Sequence, residues 1–485
     1  MHSGMRWVVL LLAAVQVAAL SGTTSFQQSS SRAADSPESL FASNEAFELR
    51  LEAPIHQLFE TARGNPEASL KGTLTYTSEG GSPVALDGVD VSVRGHTSTQ
   101  ETECAFPKLK LKLPTAPDLP LKGIDSLKIG THCGERPDGA LSAKYGRWAN
   151  EKAPHREAFV YRLLKAMQVP TLEARPARIT YVEPGRPPLV RNALVLEDDA
   201  QALKRVGASS QISEQQFTSA REALSPRDAV RLAFAEAMIG NFDWCLRFYQ
   251  GDTYRCDGRH PLWNILAFKT AIGVTPVLYD FDLSGMVTQR HSWFKRIFGS
   301  FPGTEPEVEV LSQIQRTRTL FSRAELDAAR KEFIRDKPLA YRTLLQSNVD
   351  EQGTRAIEAY LNSFFAVIER DERFYAPVVV AANTRVFVDA AGTTPACGGE
   401  SLLLGTPVSD PLETSGDRMR VRILNALWQW DGQSRKCEAA QNDAVWVDSK
   451  AVSSDYPARE RVPRASAIWW DPPRPARAAC RNSRR

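Results

Sequence analysis

Histidine and closely spaced cysteine are what this sequence has least of. Its seven histidines are scattered along 485 residues, which argues against a metal centre built on imidazole. There are seven cysteines, and none of their spacings has the form of a zinc site. A large excess of charge of one sign is also missing. The formal net charge is only +3, so composition gives no reason to expect nucleic acid or an anionic membrane as a partner. The basic residues that do cluster, from Arg459 to Arg485, form a sparse tail with no ordered aromatic platform, and nucleic acid is not expected there either. After the N-terminal stretch no apolar run approaches the roughly 20 residues that cross a bilayer, so no membrane span is expected.

The N-terminal stretch reads as a secretory signal over residues 1–21. Arg6 gives the positive start, Trp7 to Leu20 is almost unbroken in apolar character, and Ala19-Leu20-Ser21 offers small residues for cleavage. No cysteine lies near that point, so a lipid-anchored precursor is not expected. The mature chain is expected to be exported, whether periplasmic, cell-surface or secreted. Cysteine usage suits that compartment. Cys104 and Cys133, Cys245 and Cys256, and Cys397 and Cys437 each flank one segment, with Cys480 left over. Three disulfides between sequence neighbours are the simplest of the 15 connectivities open to six cysteines.

An apolar fraction of 42% is ordinary for a globular chain, and the length leaves room for one large domain and a smaller one. Residues 22–44, rich in Ser, Gln, Ala and Thr, read as a flexible leader. Alternating runs predict strands at Phe47–Leu51, Ser69–Tyr76, Val84–Val93 and Lys108–Leu113, and shorter ones at Leu127–Ile129, Arg178–Val182 and Asn192–Leu196. Steps of three and four between Phe159, Leu163, Leu164 and Met167 predict a helix over Glu151–Met167. A second helix starts at Ser225-Pro226 and stops at Gly240. Helical stripes at Ala324–Phe333 and Thr354–Val367 extend the domain to 375. From 376 to 453 the pattern is strand-like and turn-rich, with runs at Val378–Ala381, Val386–Val388, Arg420–Leu424, Ala426–Trp430 and Val445–Val447. Residues 454–485 read as a disordered basic tail.

The chemistry concentrates at Leu278-Tyr-Asp280-Phe-Asp282-Leu-Ser-Gly285. On an extended backbone Asp280 and Asp282 share one face with Phe281 opposite. Two hard oxygen donors at a strand end suit a magnesium-phosphate site, although an isolated pair of this kind is more often a solvated turn. Upstream stand Arg94-Gly95 with hydroxyls at 97–99, the lysines 108, 110 and 112 on one strand face, Asn241-Phe-Asp243, and Asn264. At least two of those lysines are expected at the surface. Trp244 and Trp263 are expected as packing residues, and His96 and His132 as structural ones.

Taken in this order the motifs resemble the spore-coat protein H (CotH) kinase-like family over roughly Phe47 to Phe374. The resemblance rests on Arg94-Gly95, Pro107-Lys108, Leu127 to Cys133, Ala193 to Glu197, Ile239 to Trp244, Asn264 and Tyr279 to Gly285. Arg385-Val-Phe-Val388 and Val445 to Lys450 resemble, more weakly, a bacterial SH3-like domain. The resemblance implies an α+β chain, with an atypical protein-kinase-like two-lobed domain at 45–375 and a small all-β SH3-like barrel at 376–453. It also implies Mg-ATP, or the manganese complex, as cofactor. Asp243 and Lys108 would be catalytic, and Arg94, Lys108, Glu157 and Glu197 would serve the nucleotide. Glu151 is the alternative to Glu157 as the lysine's partner. Asn264 and Asp280 would hold the metal, with Asp282 a second ligand or only a turn cap.

One departure stands out. Asp243 and Asn264 are 21 positions apart, whereas kinase catalytic loops keep the two close. An insertion closed by Cys245 and Cys256 could leave its ends together. A second departure is the single glycine of the phosphate loop. The implied activity is transfer of phosphate to Ser or Thr of a secreted or envelope protein. The alternative is a non-catalytic envelope protein with a degenerate kinase-like domain and a module that binds cell wall or peptide.

Overall fold

The computed structural model describes residues 38–78, 81–95, 106–115, 120–131, 151–220, 224–241, 243–246, 261–288, 306–318, 321–381, 383–399, 401–402, 406–423 and 444–454. The chain is mixed α/β. Its first strands are β1 (Phe47–Glu52), β2 (Ser69–Thr77), β3 (Pro83–Arg94), β4 (Lys108–Lys112), β5 (Ser126–Gly130), β6 (Ala174–Val182) and β7 (Leu189–Leu196). They close into a barrel in the order β1-β2-β3-β4-β5-β7-β6. Neighbours run antiparallel except β1 and β6, whose parallel pairing from Phe47–Ala177 to Glu52–Val182 completes the ring. Closure leaves no unpaired edge.

The period of two decides what the barrel shows to its surroundings. Leu109 and Leu111 join Val91, Leu127, Ile129 and Val195 in the interior core. Lys108, Lys110 and Lys112 therefore leave the opposite face of β4. They meet different environments there: Lys108 is buried, Lys110 half-buried and Lys112 exposed.

Helix α1 (Ala153–Ala166) packs on β6 and β7 and is buried on nearly every side from Arg156 to Leu164, apart from Arg162. A helix enclosed in this way lies between two bodies of structure. The second body has its own core, which includes α2 (Pro226–Ile239), α3 (Pro306–Arg318), α4 (Arg323–Leu345) and α5 (Glu351–Ile368). Ser225 caps α2 by accepting the Asp228 N–H, and Gly240 ends it in the left-handed conformation, φ +64°. Only glycine takes that conformation without strain. Ser322 and Glu325 cap α4 reciprocally. The strands here are β8 (Ser210–Ile212), β9 (Cys245–Leu246), β10 (Leu262–Trp263), β11 (Ile265–Thr270) and β12 (Gly273–Leu278). They form the sheets β12-β11-β8 and β10-β9.

The two bodies are stitched together where the chain leaves α1. Leu278 N–H donates to Pro170 O at 3.0 Å, and Thr171 Oγ1 donates to Leu278 O at 2.9 Å. The end of β12, and hence Asp280, is thereby fixed beside the barrel.

Some expectations need correction. Residues 38–44 are not a flexible leader, because Glu38–Ala42 is helical and Leu40 and Phe41 are buried in the barrel core. Arg162 and Arg175 hold this segment by donating to the Phe41 and Leu40 carbonyls. Between 376 and 453 the described residues form short strands in sheets of two and three, around a core that includes Val379, Val408, Val421 and Val447. They do not form a closed barrel. Phe387 makes single bridges to Pro395 and Trp446 rather than joining a strand over Val386–Val388. The signal sequence, His96, His132, Ala426–Trp430 and the basic tail lie outside the described residues. Cys245 and Cys397 are disulfide-bonded, and their pairing also lies outside the described residues. No helix among the described residues is long and apolar enough to cross a membrane.

Candidate active site

Lys108 is the focus of the site. It begins β4 opposite Arg94 of β3, and only 5% of it is exposed. Its ammonium donates to Asp280 Oδ1 and lies 3.2 Å from Asp282 Oδ2. Burial works against the ammonium, but Asp280, Asp282 and Glu157 outweigh it and hold the pKa above the ordinary lysine value. The two carboxylates keep contact with solvent, their side chains being 30% and 24% exposed.

They reach Lys108 by a different route from the one expected. The strand ends at Leu278, so the extended-strand rule does not reach Asp280 and Asp282. Asp280 instead adopts a left-handed backbone, φ +66°. Aspartate tolerates this better than most side chains, but at some cost. Phe281 is fully buried. The turn closes through Ser284 N–H on Phe281 O at 2.9 Å and Gly285 N–H on Gly240 O at 3.0 Å. Gly285 cannot be replaced without movement, since a Cβ there would stand 2.0 Å from the Tyr360 hydroxyl.

Glu157 comes from the middle of α1 and is 3% exposed. Burial pushes its carboxyl up to about 8, with Lys108 opposing the rise and Asp282 and Asp280 adding to it. Glu151, the other candidate, is exposed ahead of the helix. The ion pairs of Lys108 are with Asp280 and Asp282, and Glu157 acts on it through charge. Arg94 acts the same way, on Lys108, Glu157 and Tyr161.

Asp243 and Asn264 meet despite their distance in sequence. Asn264 Nδ2 donates to the Asp243 carbonyl at 2.6 Å and to its Oδ2 at 3.2 Å. The contact follows from the β9–β10 ladder, in which Trp263 faces Cys245 and Leu262 faces Leu246. Asn264 is left-handed too, φ +57°, and its carbonyl accepts the Tyr279 N–H at 3.2 Å. This ties the Asp243 corner to the approach to Asp280.

Glu197 is not gathered with these residues. Its carboxylate is buried against Arg205, at 2.8 Å, and the Glu173 N–H, at 3.1 Å. It braces the link after β7. Lys110 pairs with Asp198 at 2.8 Å, and Lys128 of β5 pairs with Asp199.

Three neighbours of these residues were missed by the sequence reading. Trp263 does more than pack, since its Nε1 donates to Asp243 Oδ1 at 3.2 Å. Tyr161 accepts the Asp280 N–H at 2.9 Å. Glu236 is fully buried near the end of α2, and burial raises its carboxyl well above the usual range, with Asn241 opposing and Asp243 reinforcing. Its signal was visible as a lone acid inside the apolar run Leu232 to Ile239. The Tyr161 and Trp263 contacts had no such signal.

The donor set is compatible with magnesium or manganese. Asp280 and Asp282 supply hard oxygens, and Asn264, whose Nδ2 is engaged with Asp243, has its Oδ1 to offer. A magnesium ion typically takes one or two carboxylates and completes its sphere with phosphate and water. Among the described residues no group of three or more His, Cys, Asp and Glu is gathered for a metal, so any ion here would need a ligand's oxygens. The arrangement joins a buried cation and two part-solvated carboxylates, through the Tyr279–Asn264 backbone contact, to an amide–carboxylate pair.

No family model matches the chain, and no curated protein matches it. Among solved structures it is similar to the Helicobacter pylori proinflammatory kinase CtkA. The TM-score is 0.29 and the identity 9%, covering 54% of this chain and 91% of that one. It is also similar to a chain of the Shewanella oneidensis MR-1 HipA–HipB toxin–antitoxin complex with operator DNA. There the TM-score is 0.27 and the identity 14%, covering 66% of this chain and 71% of that one. Both likenesses are distant.

Proposed function

We propose that the chain is an exported, CotH-like phosphotransferase with a two-lobed kinase-like domain. It would use Mg-ATP, or the manganese complex, to modify Ser or Thr of a secreted or envelope protein. The observation that carries this reading is the convergence on buried Lys108 of Asp280, Asp282 and Glu157, from two distant stretches of chain. Phosphoryl transfer needs a cation for the phosphates, carboxylates for the metal and an acid to orient the acceptor.

In this reading Lys108 and Arg94 bind phosphate oxygens, Asp280 and Asp282 keep Lys108 protonated, and Glu157 is its buried neighbour from α1. Asp243, steadied by Trp263 and Asn264, orients the acceptor hydroxyl and takes its proton as the oxygen–phosphorus bond forms and the nucleoside diphosphate leaves. Asn264, Asp280 and Asp282 hold the metal, which when bound neutralises charge on the phosphates. The 376–453 segment, whose described residues form short sheets rather than a closed barrel, acts as a small all-β module toward cell wall or peptide.

A second reading is a non-catalytic envelope protein with a degenerate site. One observation favours it: both carboxylates that a metal would need are engaged with Lys108. Incubating purified protein with γ-labelled ATP and Mg²⁺ or Mn²⁺ separates the two. Label transfer that Asp280→Ala abolishes supports the enzyme. No nucleotide binding under either metal overturns it in favour of the second reading.

A further inference from the structure

We propose that Tyr161 is a positioning residue whose hydroxyl holds Asp280 in its left-handed conformation and so sets where the Asp280 carboxylate stands. The cation-binding side of this inference rests on the phosphotransferase reading above, whereas the backbone side does not.

The β11–β12 ladder pairs Ile265 with Leu278 and goes no further. Tyr279 N–H finds Asn264 O just beyond it. The next amide, that of Asp280, has run out of sheet. It turns at φ +66° and donates to Tyr161 Oη at 2.9 Å. A non-glycine residue keeps such a backbone only where its surroundings over-determine it, and here one contact on its backbone comes from a side chain on another element. The Tyr161 ring meets the next residue as well, packing edge-on against Phe281 with centroids 4.7 Å apart. Backbone and side chain of consecutive residues are thus gripped by one tyrosine.

That grip is useful only if α1 itself cannot move, and the helix is pinned beside Tyr161. Arg156 donates bidentately to Asp350, both bonds at 2.9 Å, and Arg162 donates to Phe41 O at 3.0 Å. Glu157 lies one turn before Tyr161, on the same side of the helix. A single rigid element therefore brings a carboxylate toward Lys108 and an acceptor to Asp280, the partner of Lys108. Because φ at Asp280 fixes the direction of its Cα–Cβ bond, the tyrosine hydroxyl acts on carboxylate geometry without touching the carboxylate.

Tyr161→Phe keeps the ring and its burial and deletes only the acceptor. In metal-free protein, hydrogen exchange at the Asp280 amide is expected to speed up about tenfold in the variant, the factor of one ordinary hydrogen bond. The unfolding midpoint should change little. In the presence of ATP, Mn²⁺ binding followed by electron paramagnetic resonance is expected to weaken. An Asp280 amide that already exchanges freely in the wild-type protein, or one whose protection survives Tyr161→Phe, overturns the proposal. The wild-type measurement stands even if the variant fails to fold. If the amide responds but the wild-type protein binds no Mn²⁺, the positioning role is upheld and the phosphotransferase reading falls.

Discussion

Lys108 donates to Asp280 from 172 residues upstream, joining the outer face of a barrel strand to the turn after β12. The contact is a junction between the two cores as well as a candidate site, so it bears on stability before any substrate arrives. Breaking a fully buried ion pair costs about 3–5 kcal/mol. Asp280 and Asp282 keep some solvent, so Lys108→Met should cost less, about 1–3 kcal/mol by the same reasoning. Urea denaturation in metal-free buffer measures it, and adding Asp280→Asn should restore part of the loss. A variant as stable as the wild type would show that the pair contributes nothing to holding the cores together.

Glu157 should leave its mark on the pH profile of stability. Its carboxyl is raised from 4.5 to about 8 by burial, with Lys108 opposing and Asp282 and Asp280 reinforcing. The folded state then retains a proton that the unfolded chain releases. The associated stability is full below the unfolded pKa and is lost as pH rises through the folded one. Glu157→Gln has no such proton to lose. The variant should therefore gain on the wild type as pH climbs through that window, read from urea midpoints across it in the presence of a chelator. Parallel profiles for the two proteins would contradict the assignment.

Arg156 and Asp350 are expected to matter more than any surface pair. The guanidinium is 1% exposed and also donates to Val287 O at 3.4 Å, while Asp350 caps α5 by accepting the Gly353 N–H at 3.2 Å. Asp350→Ala strands a buried charge and removes a cap. The expected loss is about 3–5 kcal/mol for the pair and about 1 kcal/mol for the cap. Asp350→Asn, which keeps an oxygen for the cap, should fall between the alanine variant and the wild type. An asparagine variant as stable as the wild type would mean that charge is irrelevant to the contact, and equal losses in the two variants would mean that the cap oxygen contributes nothing.

Elements whose hydrophobic period matches their surroundings were readable in advance. Phe47–Glu52 alternates perfectly between buried and exposed, and α2 begins and ends at the expected Ser225 and Gly240. The lysine strand was readable only in part. Its pattern fixes which face Lys108, Lys110 and Lys112 share. That Lys108 alone is buried depends on α1 and on a turn much further along the chain. Asp280 and Asp282 were found through residue type, but their geometry was not legible. Period-two reasoning stops where the ladder stops, and the left-handed turn at Asp280 follows from Tyr161, which no local pattern connects to it. Glu197 shows the opposite failure. A strand-end acid beside a candidate site is engaged instead with Arg205.

The two-residue ladder between β9 and β10 separates the length of the chain from the geometry of the site. Leu246 and Leu262 are opposite partners, so the spacing of Asp243 and Asn264 is set on the near side of that pair. The entropy of closing a loop grows only logarithmically with its length. The Asn264–Asp243 contact therefore depends on the Trp263–Cys245 and Leu262–Leu246 pairs rather than on how many residues separate the two strands.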